Sequence, residues 1–141
     1  MDRRLENAWW TLRIGLGAIA TVAGLDKFFN LLTYWPSYIS PFFVRTLPFS
    51  PQMFMYVAGA IEMAVGLAIL ARWSRYASYL MMGWLLCIAV NLFTARMFDI
   101  ATRDVAIALA AFALAKLSEV HDQLPLHTER TVPSRLAALS R

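Results

Sequence analysis

The chain has 141 residues, 60% of them hydrophobic and only 16% charged, with a mean hydropathy of +0.54. That composition excludes an ordinary water-soluble domain of this length and places the chain in the membrane class, as a single domain. The net charge of +4 and pI near 9.6 do not point to nucleic acid, because the basic residues flank apolar stretches as topology signals do.

The lone cysteine, Cys87, rules out an intrachain disulfide, a CxxC redox pair and a cysteine-ligated cluster or zinc site. His121 and His127 both fall in a polar tail, so a histidine-ligated membrane haem has no ligand in the apolar segments. The seven methionines read as packing residues. No metal site and no catalytic residue is expected, and any redox centre would be an organic cofactor or belong to a partner.

In chain order, residues 8–32 form the first predicted span. The charged start before it has the outline of a secretory signal, but Arg13 interrupts the apolar run and the helical length exceeds a signal core. A retained span is expected, with Trp9 and Trp10 as interfacial anchors and Arg13 snorkelling to the same surface. Asp26 and Lys27 follow about a bilayer's thickness later, at roughly 1.5 Å per residue. They read either as a charged helix end or as part of a polar site.

Residues 33–51 form the longest connection. Its four prolines argue against one continuous helix, and its many aromatics against a loop standing free in water. Tyr34, Trp35, Phe42 and Phe43 read as an aromatic lid over the bundle, or as an interfacial belt.

The second span, 52–71, carries Glu62 at its centre. Gly59, Glu62 and Gly66 recur at i, i+3 and i+7, so they share one helix face. The glycines admit a neighbouring backbone, and the carboxyl then lies between helices rather than in lipid, where an acid costs a few kcal/mol. After a tight turn at Arg72–Tyr76 the third span, 76–95, places Gly83, Cys87 and Asn91 four apart. Asn91 reads as an interhelical hydrogen-bonding residue or a ligand group, and Cys87 as a small buried packing residue.

Arg96, Asp99, Arg103 and Asp104 lead into the fourth span, 101–120. Were that stretch helical, Arg96–Asp99 and Asp99–Arg103 would pair at i,i+3 and i,i+4. Asp104, Ala108, Ala111 and Ala115 form a small-residue stripe suited to close packing. The apolar run is short, so flanking turns are needed to span. Residues 121–141 form a polar tail, extended except for a weak surface helix at 133–139.

The predicted fold is therefore all-α, a membrane-embedded up-down four-helix bundle with an aromatic, proline-rich loop between helices 1 and 2. Lysine and arginine counts put both termini and the second turn on one side, the cytoplasm. Asp26, Lys27, Arg45, Arg96, Asp99, Arg103 and Asp104 then gather near the outer leaflet, above the deeper Glu62 and Asn91. Such a cluster suits three uses: holding a quinone or another amphipathic headgroup, passing protons through Glu62, or fixing helix register as a salt-bridge network.

Arg13-Ile-Gly-Leu-Gly followed by Ala23-Gly-Leu-Asp-Lys-Phe-Phe29 resembles the opening of DoxX-like membrane proteins. Ala58-Gly-Ala-Ile-Glu-Met-Ala-Val-Gly66 is similar to their second helix, with its Gly-x-x-Glu-x-x-x-Gly spacing. Asp99-Ile-Ala-Thr-Arg-Asp104 looks like the charged opening of their fourth helix. The resemblance covers roughly Trp9 to Leu117 and implies a four-helix integral membrane protein with polar motif positions at Lys27, Glu62, Arg103 and Asp104. Some relatives are subunits of thiosulfate:quinone oxidoreductases, and others associate with redox-defence enzymes.

The expectation that follows is an accessory subunit of a redox complex in the bacterial inner membrane. It would bind other integral membrane subunits and lipids but no nucleic acid, with no covalent cofactor and a quinone or lipid in its pocket. Without cysteine pairs or a large soluble domain, autonomous sulfur oxidation is not expected. A stand-alone small-molecule or proton carrier using Glu62 is the rival reading, and a purely structural subunit is the third.

Overall fold

The helix boundaries follow from the residues that flank them. The computed structural model describes the backbone of residues 2–139 and the side chains of residues 2–123. Its elements are α1 (Arg3–Phe29), a 3-10 turn (Trp35–Tyr38), α2 (Pro41–Thr46), α3 (Pro51–Leu70), α4 (Ser74–Thr94) and α5 (Phe98–Leu139). Helix α1 stops three residues short of the predicted Leu32. Asn30 takes the left-handed conformation (φ 52°), and the Asp26 carboxylate accepts hydrogen bonds from the Leu31 and Leu32 amides. Ser40 and Ser50 cap α2 and α3 through their hydroxyls, each followed by proline at the first helical position, where its missing N–H costs nothing. Between α4 and α5 the chain turns at Arg96, also left-handed (φ 60°).

The connection 33–51 is thus two short helical pieces rather than an open loop. Its 3-10 turn packs on α3. Asn91, near the end of α4, holds it there: its amide donates to the Tyr38 carbonyl (2.8 Å) and accepts from the Ser40 N–H (3.0 Å). One side chain therefore clamps both sides of a bend.

Helix α1 packs most extensively on α3 and α4 on α5, with lighter contacts between α3 and α4 and between α1 and α5. The α1–α3 seam is close because it is built on glycine. A Cβ on Gly24 would lie 2.6 Å from the Gly59 carbonyl oxygen, and one on Gly59 would lie 2.6 Å from that of Gly24. Seven residues along each helix, Gly17 and Gly66 repeat the contact, with Gly66 also against Thr21. On α5, the stripe of Asp104, Ala108, Ala111 and Ala115 is buried.

Polarity is distributed as in a membrane protein. Lys27, Glu62, Ser74, Ser78, Asp104 and Ser118 are buried, while Ile14, Ile19, Val22, Val57, Leu67, Leu80 and Val90 face outward. Helices α1, α3 and α4 are each long and apolar enough to cross a membrane. The protein is an all-helical integral membrane protein, and no strand occurs among the described residues.

Three expectations need correction. Trp9 is no interfacial anchor but a core residue, 4% exposed, whereas Trp10 is exposed. Cys87 is exposed, not buried. A four-residue step advances about 40° around a helix, so Asn91 reaches the loop while Cys87 and Gly83, one and two steps back along the stripe, stay on the outer surface. Third, the chain remains helical past residue 120 to Leu139, without an extended tail. The predicted surface disposition of 133–139 lies outside the described side chains.

Candidate functional site

Lys27 sits in the last turn of α1, and Glu62 lies beside Gly59 on the glycine face of α3. Because the two backbones touch at Gly24 and Gly59, these side chains meet directly. Lys27 Nζ donates to Glu62 Oε2 at 2.6 Å, with residue exposures of 6% and 8%. A charge-assisted bond of this kind is among the strongest available to side chains, and burial makes it costly to leave either partner alone.

Two tryptophans complete the pair's surroundings. Trp84 on α4 donates its indole N–H to the other carboxylate oxygen, Glu62 Oε1, at 3.3 Å. Trp35 of the 3-10 turn lies with its ring centroid 3.7 Å from Lys27 Nζ, a cation–π contact. Its own indole N–H donates to Asp26 Oδ2 (2.7 Å), and its amide donates to Asn30 Oδ1 (3.2 Å). Asp26 thus ends α1 and fixes the indole that covers the neighbouring lysine, without pairing with that lysine itself.

Asp104 on α5 is also buried. Its close partner is Arg103 (Nε–Oδ1 3.5 Å), whose side chain is largely exposed. The Lys27–Glu62 pair and its indoles therefore draw on α1, α3, α4 and the connecting turn.

Of the residues singled out in the sequence, the structure gathers Asp26, Lys27, Trp35 and Glu62 around one centre, Asn91 holds the turn that carries Trp35, and Asp104 is buried on α5 with Arg103 as its ion-pair partner. Among the described residues Arg103 pairs with Asp104 alone. Arg45, Arg96 and Asp99 are exposed, and among the described residues none of them forms an ion pair within 4 Å. The backbone break at Arg96 separates it from Asp99. Of the aromatic lid, Trp35 covers the pair, while Tyr34 and Phe42 are exposed and Phe43 is edge-on to Phe42 at 5.5 Å.

Trp84 is not among the residues singled out in the sequence. A signal for it exists there: an indole N–H in the middle of an apolar helix needs an acceptor, and Glu62 is the carboxylate in the middle of another. A second buried network is likewise new. Trp9 Nε1 donates to Ser118 Oγ (2.8 Å), which shares a hydrogen bond with Ser74 Oγ (2.7 Å), tying α1, α4 and α5 together. At the same end Arg13 donates to the carbonyls of Ile69, Leu70 and Ala71, satisfying the last turn of α3, and lies over the rings of Trp9 and Trp10.

Chemically, the centre offers a carboxylate, an ammonium with one of its three protons accounted for, and two indole rings. It suits hydrogen bonding to a carbonyl or headgroup oxygen. Among the described residues no group of three or more His, Cys, Asp or Glu side chains is arranged to hold a metal ion.

The family model for DoxX matches residues 8–96, well over half of the chain and the whole of the Lys27–Glu62–Trp84 centre. No curated protein and no solved structure matches. The chain belongs to the DoxX family.

Proposed function

We propose that this DoxX-family membrane protein is a four-span accessory subunit of an inner-membrane redox complex, with both termini cytoplasmic. Its Lys27–Glu62 centre anchors the polar end of a quinone or lipid. The observation that carries the reading is the buried ammonium–carboxylate pair at 2.6 Å, flanked by the indoles of Trp35 and Trp84. A quinone carbonyl would accept from Lys27 while its ring packs against indole, and the electrons would belong to partner subunits. Helix α5, packed along α4, supplies the fourth span in this reading, and the arginines at 3, 4, 13, 72 and 75 mark the inner side.

A structural lock is the second reading, favoured by the glycine contact one turn from the ion pair, which would hold α1 on α3 regardless of any ligand. Proton carriage by Glu62 fits less well, since its carboxylate is already engaged by Lys27 and Trp84.

The test is quenching of intrinsic tryptophan fluorescence by a short-chain quinone added to the purified protein. Anchoring predicts saturable quenching that weakens at least 10-fold in midpoint in Glu62→Gln, with the fold intact. Quenching that is non-saturable, or identical in the variant, contradicts the binding role and leaves the lock.

A further inference from the structure

At the opposite end of α3 from Ser50 lies a cleft of about 240 Å³, whose lining includes Trp9, Arg13, Arg72, Ser74, Arg75 and Asp122. Its lining shares no residue with the Lys27–Glu62 centre, and the function proposed above makes no use of it. We infer that this cleft binds the phosphate of an anionic phospholipid, held by Arg72, Arg75 and the amino-terminal turn of α4.

Charge points to the ligand's sign. Three guanidinium groups line the cleft against one carboxylate, that of Asp122. Arg13 is committed to the carbonyls that end α3, so it contributes charge but few free donors. Arg72 is exposed and forms no ion pair among the described residues. Arg75 stands 3.9 Å from Glu119, which is bonded more closely to Tyr79 (2.7 Å) and Lys116 (3.1 Å). A phosphate can therefore recruit both planar forks, the geometry in which arginine binds phosphate best.

Backbone geometry adds donors at the same place. Helix α4 begins at Ser74, and Trp73, its capping residue, supplies no side-chain acceptor. The first backbone hydrogen bond of the helix is that of the Ala77 N–H to Trp73, so the amides of Ser74, Arg75 and Tyr76 precede the ladder. Unpaired amides at a helix start, with the positive end of the helix dipole, form an anion site when cations converge on it.

Size and surroundings select a lipid headgroup. The volume is below the roughly 300–1,000 Å³ of pockets that enclose drug-sized ligands, and suits a small headgroup. Trp73 and Tyr76 beside it are 70% and 72% exposed, and Trp10 is also exposed, as in aromatic belts at the membrane surface. Ile14 and Leu67, next along α1 and α3 from the cleft, are exposed apolar residues against which acyl chains would lie. Basic pockets between membrane helices bind anionic headgroups.

The experiment is native mass spectrometry of the full chain in detergent, titrated with short-chain phosphatidylglycerol, with phosphatidylcholine of equal chain length, or with inorganic phosphate. Phosphatidylglycerol should bind at least 10-fold tighter than phosphatidylcholine. Arg72→Gln/Arg75→Gln should remove most of that preference, and Arg72→Gln alone, at an exposed position, should weaken it several-fold without altering the melting temperature. Equal binding of the two lipids, or an unchanged preference in both variants, overturns the inference. Displacement of phosphatidylglycerol by low-millimolar inorganic phosphate would assign the cleft to free phosphate and overturn the lipid assignment; retention of the lipid supports it.

Discussion

Lys27 and Glu62 each occupy a place where a single charge would be unfavourable, and each is there because the other is. Removing one partner of a buried pair typically costs about 3–5 kcal/mol, since the remaining charge is left without compensation. Lys27→Met and Glu62→Gln should therefore each lower the melting temperature in detergent clearly. The double variant should lose less than the sum of the two, because it leaves neither charge unpaired. Additive losses would show that the two side chains do not share an interaction. Elsewhere, Ser118→Ala removes the acceptor of the buried Trp9 indole and one partner of Ser74, with an expected loss of about 1–3 kcal/mol. Wild-type stability for that variant would mean that the indole finds another partner. At this scale the sequence is readable where a residue's chemistry alone constrains it, as with the acid in an apolar helix. It is not readable where the role depends on the helix opposite. Trp9 looks the same in sequence whether it faces headgroups or Ser118, and Cys87 looks the same inside or outside.

Between helices, the α1–α3 seam rests on backbone contact. Gly24→Ala or Gly59→Ala would place a methyl 2.6 Å from a carbonyl oxygen of the facing helix, so the helices must part. Overpacking of this kind costs about 1–3 kcal/mol, and parting the helices also lengthens the Lys27–Glu62 bond. Gly15→Ala is the control, because nothing lies within 4 Å of its Cβ position; there the gain in helix propensity, up to about 1 kcal/mol, should prevail. If both kinds of substitution behaved alike, the seam would not be the close contact described. The i, i+3, i+7 spacing of Gly59, Glu62 and Gly66 makes their shared face legible from the residue order alone. Its partner on α1 is harder to read, because Gly15, Gly17 and Gly24 give several possible stripes and only the contact selects Gly17 and Gly24 over Gly15. The end of α1 falls three residues before the predicted one because its stop signal is a matter of geometry, a carboxylate turning back to cap two amides.

Over the whole molecule, two close helix pairs, α1 with α3 and α4 with α5, are joined by lighter contacts and by side chains that bridge them: Trp84 to Glu62, Trp9 to Ser118, and Asn91 to the 3-10 turn. Asn91→Ala should free the segment from Tyr38 to Ser40 and speed its amide hydrogen exchange, while the helices themselves stay protected; unchanged exchange there would contradict the clamp. Composition suffices for the membrane class, and the order of motifs for the family. What joins the pairs is not legible, because each bridge links residues whose separation in sequence says nothing of their distance in space. As proposed above, this chain serves a redox complex through the Lys27–Glu62 centre. Native mass spectrometry after mild extraction from the protein's own membrane, comparing the wild type with Glu62→Gln, reads that role out. The wild type should co-isolate with redox subunits and a retained quinone, with the quinone lost and the subunits kept in the variant. A lone monomer or homodimer, reproducible across gentle extraction conditions and carrying no quinone, would contradict it.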